Sequence, residues 1–282
     1  MQYRCANFIA TRYLQSAGER NVRVLEALKN MENIFGNNLF KNLMEIWIIP
    51  SINERQASGE IENPLDLQMA QLIFKSDELK AQVRINGEVK GKMIVNLKNE
   101  FTSQAKEGNS VDSNHLESID AFELEDSDRN CGHATLIAIR SNWYIFYNFI
   151  YNREESQTHL LAAKEFLYAA EMSFQAGFFR ATIDNLVSAS ELSAKAYLLR
   201  QPDKVLVQAK SHDVIHKKIN LERRLGNVKS EHVDTFNTLR NLRADARYLH
   251  SDLTITSDNL IVMLKDVGEF IECVNQLSEK KL

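Results

Sequence analysis

The hydrophobic period of the chain changes near residue 151. Before that point, short apolar runs alternate with polar positions at the period of two expected of a half-buried strand. After it, apolar residues recur every three to four positions, the period of an amphipathic helix. In the first half, residues 67–75, 81–85 and 92–97 read as strands, and Asn86-Gly87 is a favoured hairpin turn between the last two. Residues 134–140 and 143–150 flank Ser141-Asn142 and read as a second hairpin. Trp143, Ile145, Tyr147, Phe149 and Tyr151 alternate along one face, a pattern that suits a sheet core better than a base-stacking platform. Residues 45–52 read as a strand interrupted by Pro50, whereas Val24, Leu25, Leu28, Met31 and Phe35 make residues 19–35 an amphipathic helix. The first half is therefore expected to be a small antiparallel sheet with at least one helix.

The second half resolves into five helices, at about 154–176, 180–199, 211–225, 230–250 and from 257 nearly to the C-terminus. Leu160, Leu161, Phe166, Leu167, Ala170 and Phe174 are expected to face inward on the first of them. Gly177 ends that helix, because glycine takes a left-handed cap without steric cost, Pro202 ends the second, and Ser211 caps the start of the third. Short links between long amphipathic helices give an antiparallel bundle. The fold class is thus α+β, with an α+β module over 1–152 and a helical bundle over 153–282.

Composition narrows the class. The 282 residues are 44% hydrophobic and 26% charged, which describes a globular chain. A net charge of −4 argues against a general nucleic-acid coat, so local charge has to carry any such function. Cys5, Cys131 and Cys273 are far apart and show no CxxC spacing, which predicts neither a disulfide framework nor a zinc finger. The first ten residues lack the apolar stretch of a secretory signal, and no uncharged apolar run reaches membrane-spanning length. A cytoplasmic protein without a membrane partner is expected. Residues 107–128 hold eight acidic side chains and no lysine or arginine, and read as a mobile, solvated excursion from the sheet.

The most informative stretch is 239–250, Leu-Arg-Asn-Leu-Arg-Ala-Asp-Ala-Arg-Tyr-Leu-His. On a helix Arg240, Arg243, Arg247 and His250 fall within roughly 80° of one another, beside the apolar stripe Leu239, Leu242, Ala246 and Leu249. Guanidinium forks suit phosphate oxygens, and imidazole carries protons near neutral pH. The alternative is that these side chains pair structurally with Glu191 or Asp184 on the second helix. Seven basic residues between 204 and 229, among them Lys217, Lys218, Arg223 and Arg224, add either a lip that tracks a nucleic-acid backbone or an ordinary solvated face. His212 and His216 share the four-residue spacing of a metal pair, but no third ligand is evident, so no metal and no cofactor are expected. No P-loop, GxGxxG or serine elbow is present.

Four pieces in order carry a family resemblance: Phe174-Gln-Ala-Gly-Phe-Phe-Arg-Ala-Thr-Ile-Asp-Asn, Ser190-Glu-Leu-Ser-Ala-Lys-Ala-Tyr-Leu-Leu, Ser211-His-Asp-Val-Ile and Leu242-Arg-Ala-Asp-Ala-Arg-Tyr-Leu-His. Over about residues 154–280 they resemble a HEPN domain (higher eukaryotes and prokaryotes nucleotide-binding). Many such domains are metal-independent ribonucleases of toxin or defence type that pair an arginine with a histidine four to six spacers on. The resemblance implies Arg243 and His250 as the catalytic pair, with Arg240 and Arg247 on the RNA phosphates and Glu191 and Tyr248 in support. It also implies a homodimer, because Arg243 and His250 stand about 10 Å apart along one helix and a two-fold mate would supply a second histidine. An antitoxin or a small nucleotidyltransferase would be a fitting partner. Six residues separate Arg243 from His250, and Ala244 stands where a polar residue is common. Asp245-Ala-Arg247-Tyr248 also resembles members that bind a nucleotide or a protein without cutting, which is the second function class.

Overall fold

The computed structural model describes residues 6–7, 34–102, 111–140, 142–208, 212–248 and 255–279. The expected helix over 19–35 lies almost wholly outside the described residues, as do Cys5, Lys210, Ser211 and His250. The chain divides into two compact units, Met1–Phe149 and Ile150–Lys281.

The N-terminal unit is built on a five-stranded antiparallel sheet of order β1-β7-β6-β2-β3, from β1 (Ala6–Asn7), β2 (Met69–Phe74), β3 (Gln82–Ile85), β6 (Gly132–Ile139) and β7 (Asn142–Asn148). The β6–β7 hairpin predicted around residues 141–142 is present, with Ile139 opposite Asn142 and His133 opposite Asn148. Alternation sends Ala70, Leu72, Ala134, Leu136 and Ile145 to one face, where they pack with Phe40, Leu43, Met44 and Ile48. Ile137 and Phe146 face the other way and meet Phe122 of a separate ribbon formed by β4 (Lys92–Leu97) and β5 (Leu116–Glu123).

Three expectations for this half are corrected. Residues 45–52 are helical: α1 (Ile34–Leu43) runs through a π-helical turn (Met44–Ile48) into α2 (Ile49–Ala57). The apolar set Phe40, Leu43, Met44, Ile48 has helical spacing and buries against the sheet, which overrides the strand preference of Trp47-Ile48-Ile49. Pro50 lacks an N–H, and the π turn absorbs this defect by letting the Ile49 N–H donate to the Met44 carbonyl, five residues back. Second, β3 and β4 do not form a hairpin; β3 pairs with β2 and β4 with β5. Asn86 does take a left-handed conformation (φ 45°), but its side chain is used to hold the entry to β2, accepting from the Gln68 and Met69 N–H groups at 2.8 and 3.1 Å. Gly91 then lets the chain leave the sheet, since a Cβ there would meet Phe122 at 2.4 Å. Third, the acidic stretch is not a structureless excursion. It contains β5, in which Glu117, Asp120 and Glu123 point outward while Ala121 and Phe122 are buried.

The C-terminal unit is helical: α4 (Arg153–Gln175), α5 (Phe179–Leu199), α6 (Lys204–Gln208), α7 (His212–Arg224), α8 (Ser230–Tyr248) and α9 (Ser257–Glu279), following the short turn α3 (Asn99–Thr102) of the first half. Its core joins Leu160, Ile183, Leu186, Leu198, Phe236, Leu239, Leu260 and Phe270. Antiparallel packing follows from the cross-helix contacts. His232 near the start of α8 meets Asp266 and Phe270 in the middle of α9, whereas Arg247 at the end of α8 meets Asp184 near the start of α5. Gly177 takes φ 77° after α4, as its position required. Two of the expected inward residues of α4 are corrected: Leu161 and Phe166 are exposed, because the buried stripe runs through Leu160, Ala163 and Ala170 with Leu167 and Phe174 beside it. The short α6 was not foreseen. Asp203 starts it, accepting from the Val205 N–H at 2.9 Å, and Leu206 fills the core.

A candidate phosphate-facing site on the C-terminal bundle

Helix α8 buries His232, Val233, Phe236, Leu239 and Ala246, a stripe at helical spacing that fixes its rotation. That rotation places Arg240, Arg243 and Arg247 along the flank that meets α5 and α7. Each guanidinium finds a carboxylate there. Arg240 reaches Asp213 on α7 at 2.5 Å, Arg243 lies 3.6 Å from Glu191 on α5, and Arg247 lies 3.3 Å from Asp184 on α5. Both carboxylates named from the sequence as structural partners are thus engaged, and Asp213 joins them. Arg180, at the start of α5, adds a hydrogen bond from Nη1 to the Asp245 carbonyl.

Glu191 is the organising group. Its side chain is 11% exposed, and Oε2 is shared between Arg243 and the His212 Nδ1 at 3.0 Å, while Oε1 has no hydrogen-bond partner among the described residues. Three elements therefore converge on one buried carboxylate. Sequence reading weighed His212 only as half of a metal pair with His216; the fold brings residues 191, 212 and 243 together. His216, its partner in the supposed metal pair, turns away and stacks on Phe236 with ring centroids 6.1 Å apart. Among the described residues no group of three histidine, cysteine or acidic side chains is placed to hold a metal.

The other predicted residues are more dispersed. Lys218 donates to Asp203 at 2.6 Å, and that hydrogen bond holds the Asp203 carboxyl below its usual range. Arg223 pairs with Asp234 at 2.7 Å. Lys217, Arg224 and Tyr248 are exposed. So five of the cations picked from sequence are pairing partners in helix packing, the three of the row together with Lys218 and Arg223. His250 lies outside the described residues, so only the arginine part of the predicted catalytic pair has a position.

An antiparallel bundle with an arginine row facing an acidic neighbour defines a class of helical module, and a family comparison makes it specific. The HEPN domain model matches residues 156–277, from the first turn of α4 to the end of α9. The C-terminal unit is a HEPN domain; the match leaves the N-terminal unit uncovered. No curated protein matches the chain. Among the described residues no helix is long and apolar enough to cross a membrane.

Proposed function

We propose that the C-terminal unit binds RNA through the α8 arginine row and cleaves it without a metal ion. The observation that carries this reading is the HEPN match over 156–277 together with a half-exposed line of three guanidiniums along one helix. The Asp213 partner does not block it. Asp213 is a solvent-exposed partner, and exposed pairs contribute only about 0–1 kcal/mol, so a phosphate can replace Asp213 on Arg240 at little cost. Arg243 would then contact the scissile phosphate and stabilise its developing charge, with His250 as proton carrier. The assembly is a homodimer of toxin or defence type, cytoplasmic, with an antitoxin or nucleotidyltransferase as its natural partner.

The direct test is RNA affinity by fluorescence anisotropy across a salt series. Replacing Arg240, Arg243 or Arg247 by alanine should each weaken binding and lower the salt slope by about one. Unchanged affinity and slope in all three variants would rule the reading out. A second reading has its own support in the three ion pairs, which already brace α5, α7 and α8. In it the domain captures a nucleotide or a protein and does not cut. Arginine variants would then lose thermal stability, and RNA would persist in the presence of wild-type protein.

A further inference from the structure

We propose that His212, held by Glu191, is a proton-carrying catalytic residue of this site, supplied by the same chain as Arg243. The proposal rests on the cleavage reading above. Among the described residues of the helical unit two histidines lie against carboxylates, one hydrogen-bonded in the core and one an exposed ion-pair contact. His232 lies 3.0 Å from Asp266 through Nδ1, is 3% exposed and stacks on Phe270, so its whole ring is spent in the core. His212 lies at the same 3.0 Å from Glu191, again through Nδ1, but its side chain is 57% exposed. This imidazole lies beside a buried carboxylate with more than half of its side chain in solvent.

That arrangement has a chemical consequence. An exposed imidazole beside a carboxylate can exchange a proton with a bound substrate, Nε2 taking it while Nδ1 stays next to Glu191. The same Glu191 oxygen also positions Arg243, so base and phosphate-binding cation are set by one anchor. Asp213, adjacent in sequence, holds Arg240, the next cation of the row. The substrate class that fits is RNA with a 2′-hydroxyl. His212 Nε2 takes the 2′-hydroxyl proton as O2′ bonds to phosphorus. The P–O5′ bond breaks, and O5′ leaves with a proton from a second acid or from water. The products are a 2′,3′-cyclic phosphate and a 5′-hydroxyl. Glu191 is a positioning residue, since it touches only the imidazole and the guanidinium.

The test uses the full chain and a single-stranded RNA in EDTA, with cleavage rate, RNA affinity and melting temperature read in parallel. His212→Ala should slow cleavage by about 100-fold or more while affinity stays within about threefold. Added imidazole should restore part of the lost rate, which a purely structural histidine would not show. Glu191→Gln should lose rate too, and His232→Ala, the buried counterpart, should lower the melting temperature with cleavage per folded molecule retained. Wild-type cleavage matched within about threefold by His212→Ala overturns the role of His212 and leaves the function standing. Absence of cleavage by the wild type overturns the function itself.

Discussion

Asp203 illustrates how single carboxylates organise the helical unit. It caps α6 and takes the Lys218 ammonium on its second oxygen, so one side chain ties α6 to α7. Lys218 holds its carboxyl below the ordinary range, and a group whose folded value is depressed stabilises the fold above that range. The contribution fades as pH falls through the ordinary carboxylate range and below it. Asp203→Asn keeps the capping geometry and removes the charge. It should cost up to about 1 kcal/mol at neutral pH by denaturant titration, because Lys218 is substantially solvated, and nothing once the medium is acidic enough to protonate the wild-type carboxyl. An equal deficit at both pH values would contradict the assignment. Residue-level legibility follows from distance along the chain. The arginines of α8 share one helix, so their alignment was readable from spacing alone. Glu191, His212 and Arg243 lie on three helices, and no local pattern announces that they meet.

The elements of the N-terminal unit teach a related lesson. Strand-forming runs were visible as alternation, and β6–β7 was visible as a pair because a short turn leaves one choice of partner. Partners for β3 and β4 were not, because six residues separate them and the intervening Asn86 and Gly91 direct the chain off the sheet. The helix through Pro50 was hidden for a different reason. A β-branched run before a proline reads as a strand unless the longer stripe from Phe40 to Ile48 is weighed against it. Between sheet and ribbon lies a polar cluster that the sequence did not suggest. Arg84 donates to Asp128 at 2.6 and 3.2 Å and to Gln71 at 3.1 Å, and Gln71 in turn donates to the Lys90 carbonyl at 2.8 Å. Both charged side chains are largely buried, so removing one strands the other. Asp128→Ala should destabilise the unit by about 3–5 kcal/mol in denaturant unfolding. Adding Arg84→Met should recover a large part of that loss, and a double variant no better than the single would argue against a charge-pair origin.

At the scale of the molecule, the two units keep separate cores: Leu72, Leu136 and Ile145 centre one, Leu186, Phe236 and Leu260 the other. Scanning calorimetry should therefore resolve transitions that respond separately, Asp128→Ala lowering one and His232→Ala the other, by the several degrees that about 3 kcal/mol implies for domains of this size. Equal displacement of a single transition by both variants would mean that the units unfold as one. The family of the helical unit was readable from four ordered sequence pieces because bundle helices carry their pattern locally, and the match over 156–277 agrees. The central claim is that this unit cuts RNA with its own side chains. It is tested most directly by incubating the purified chain with end-labelled RNA in EDTA and identifying the product ends. The account predicts 2′,3′-cyclic phosphate and 5′-hydroxyl ends from the wild type and intact RNA with Arg243→Ala. Intact RNA with the wild type, or equal cleavage by Arg243→Ala, would contradict it.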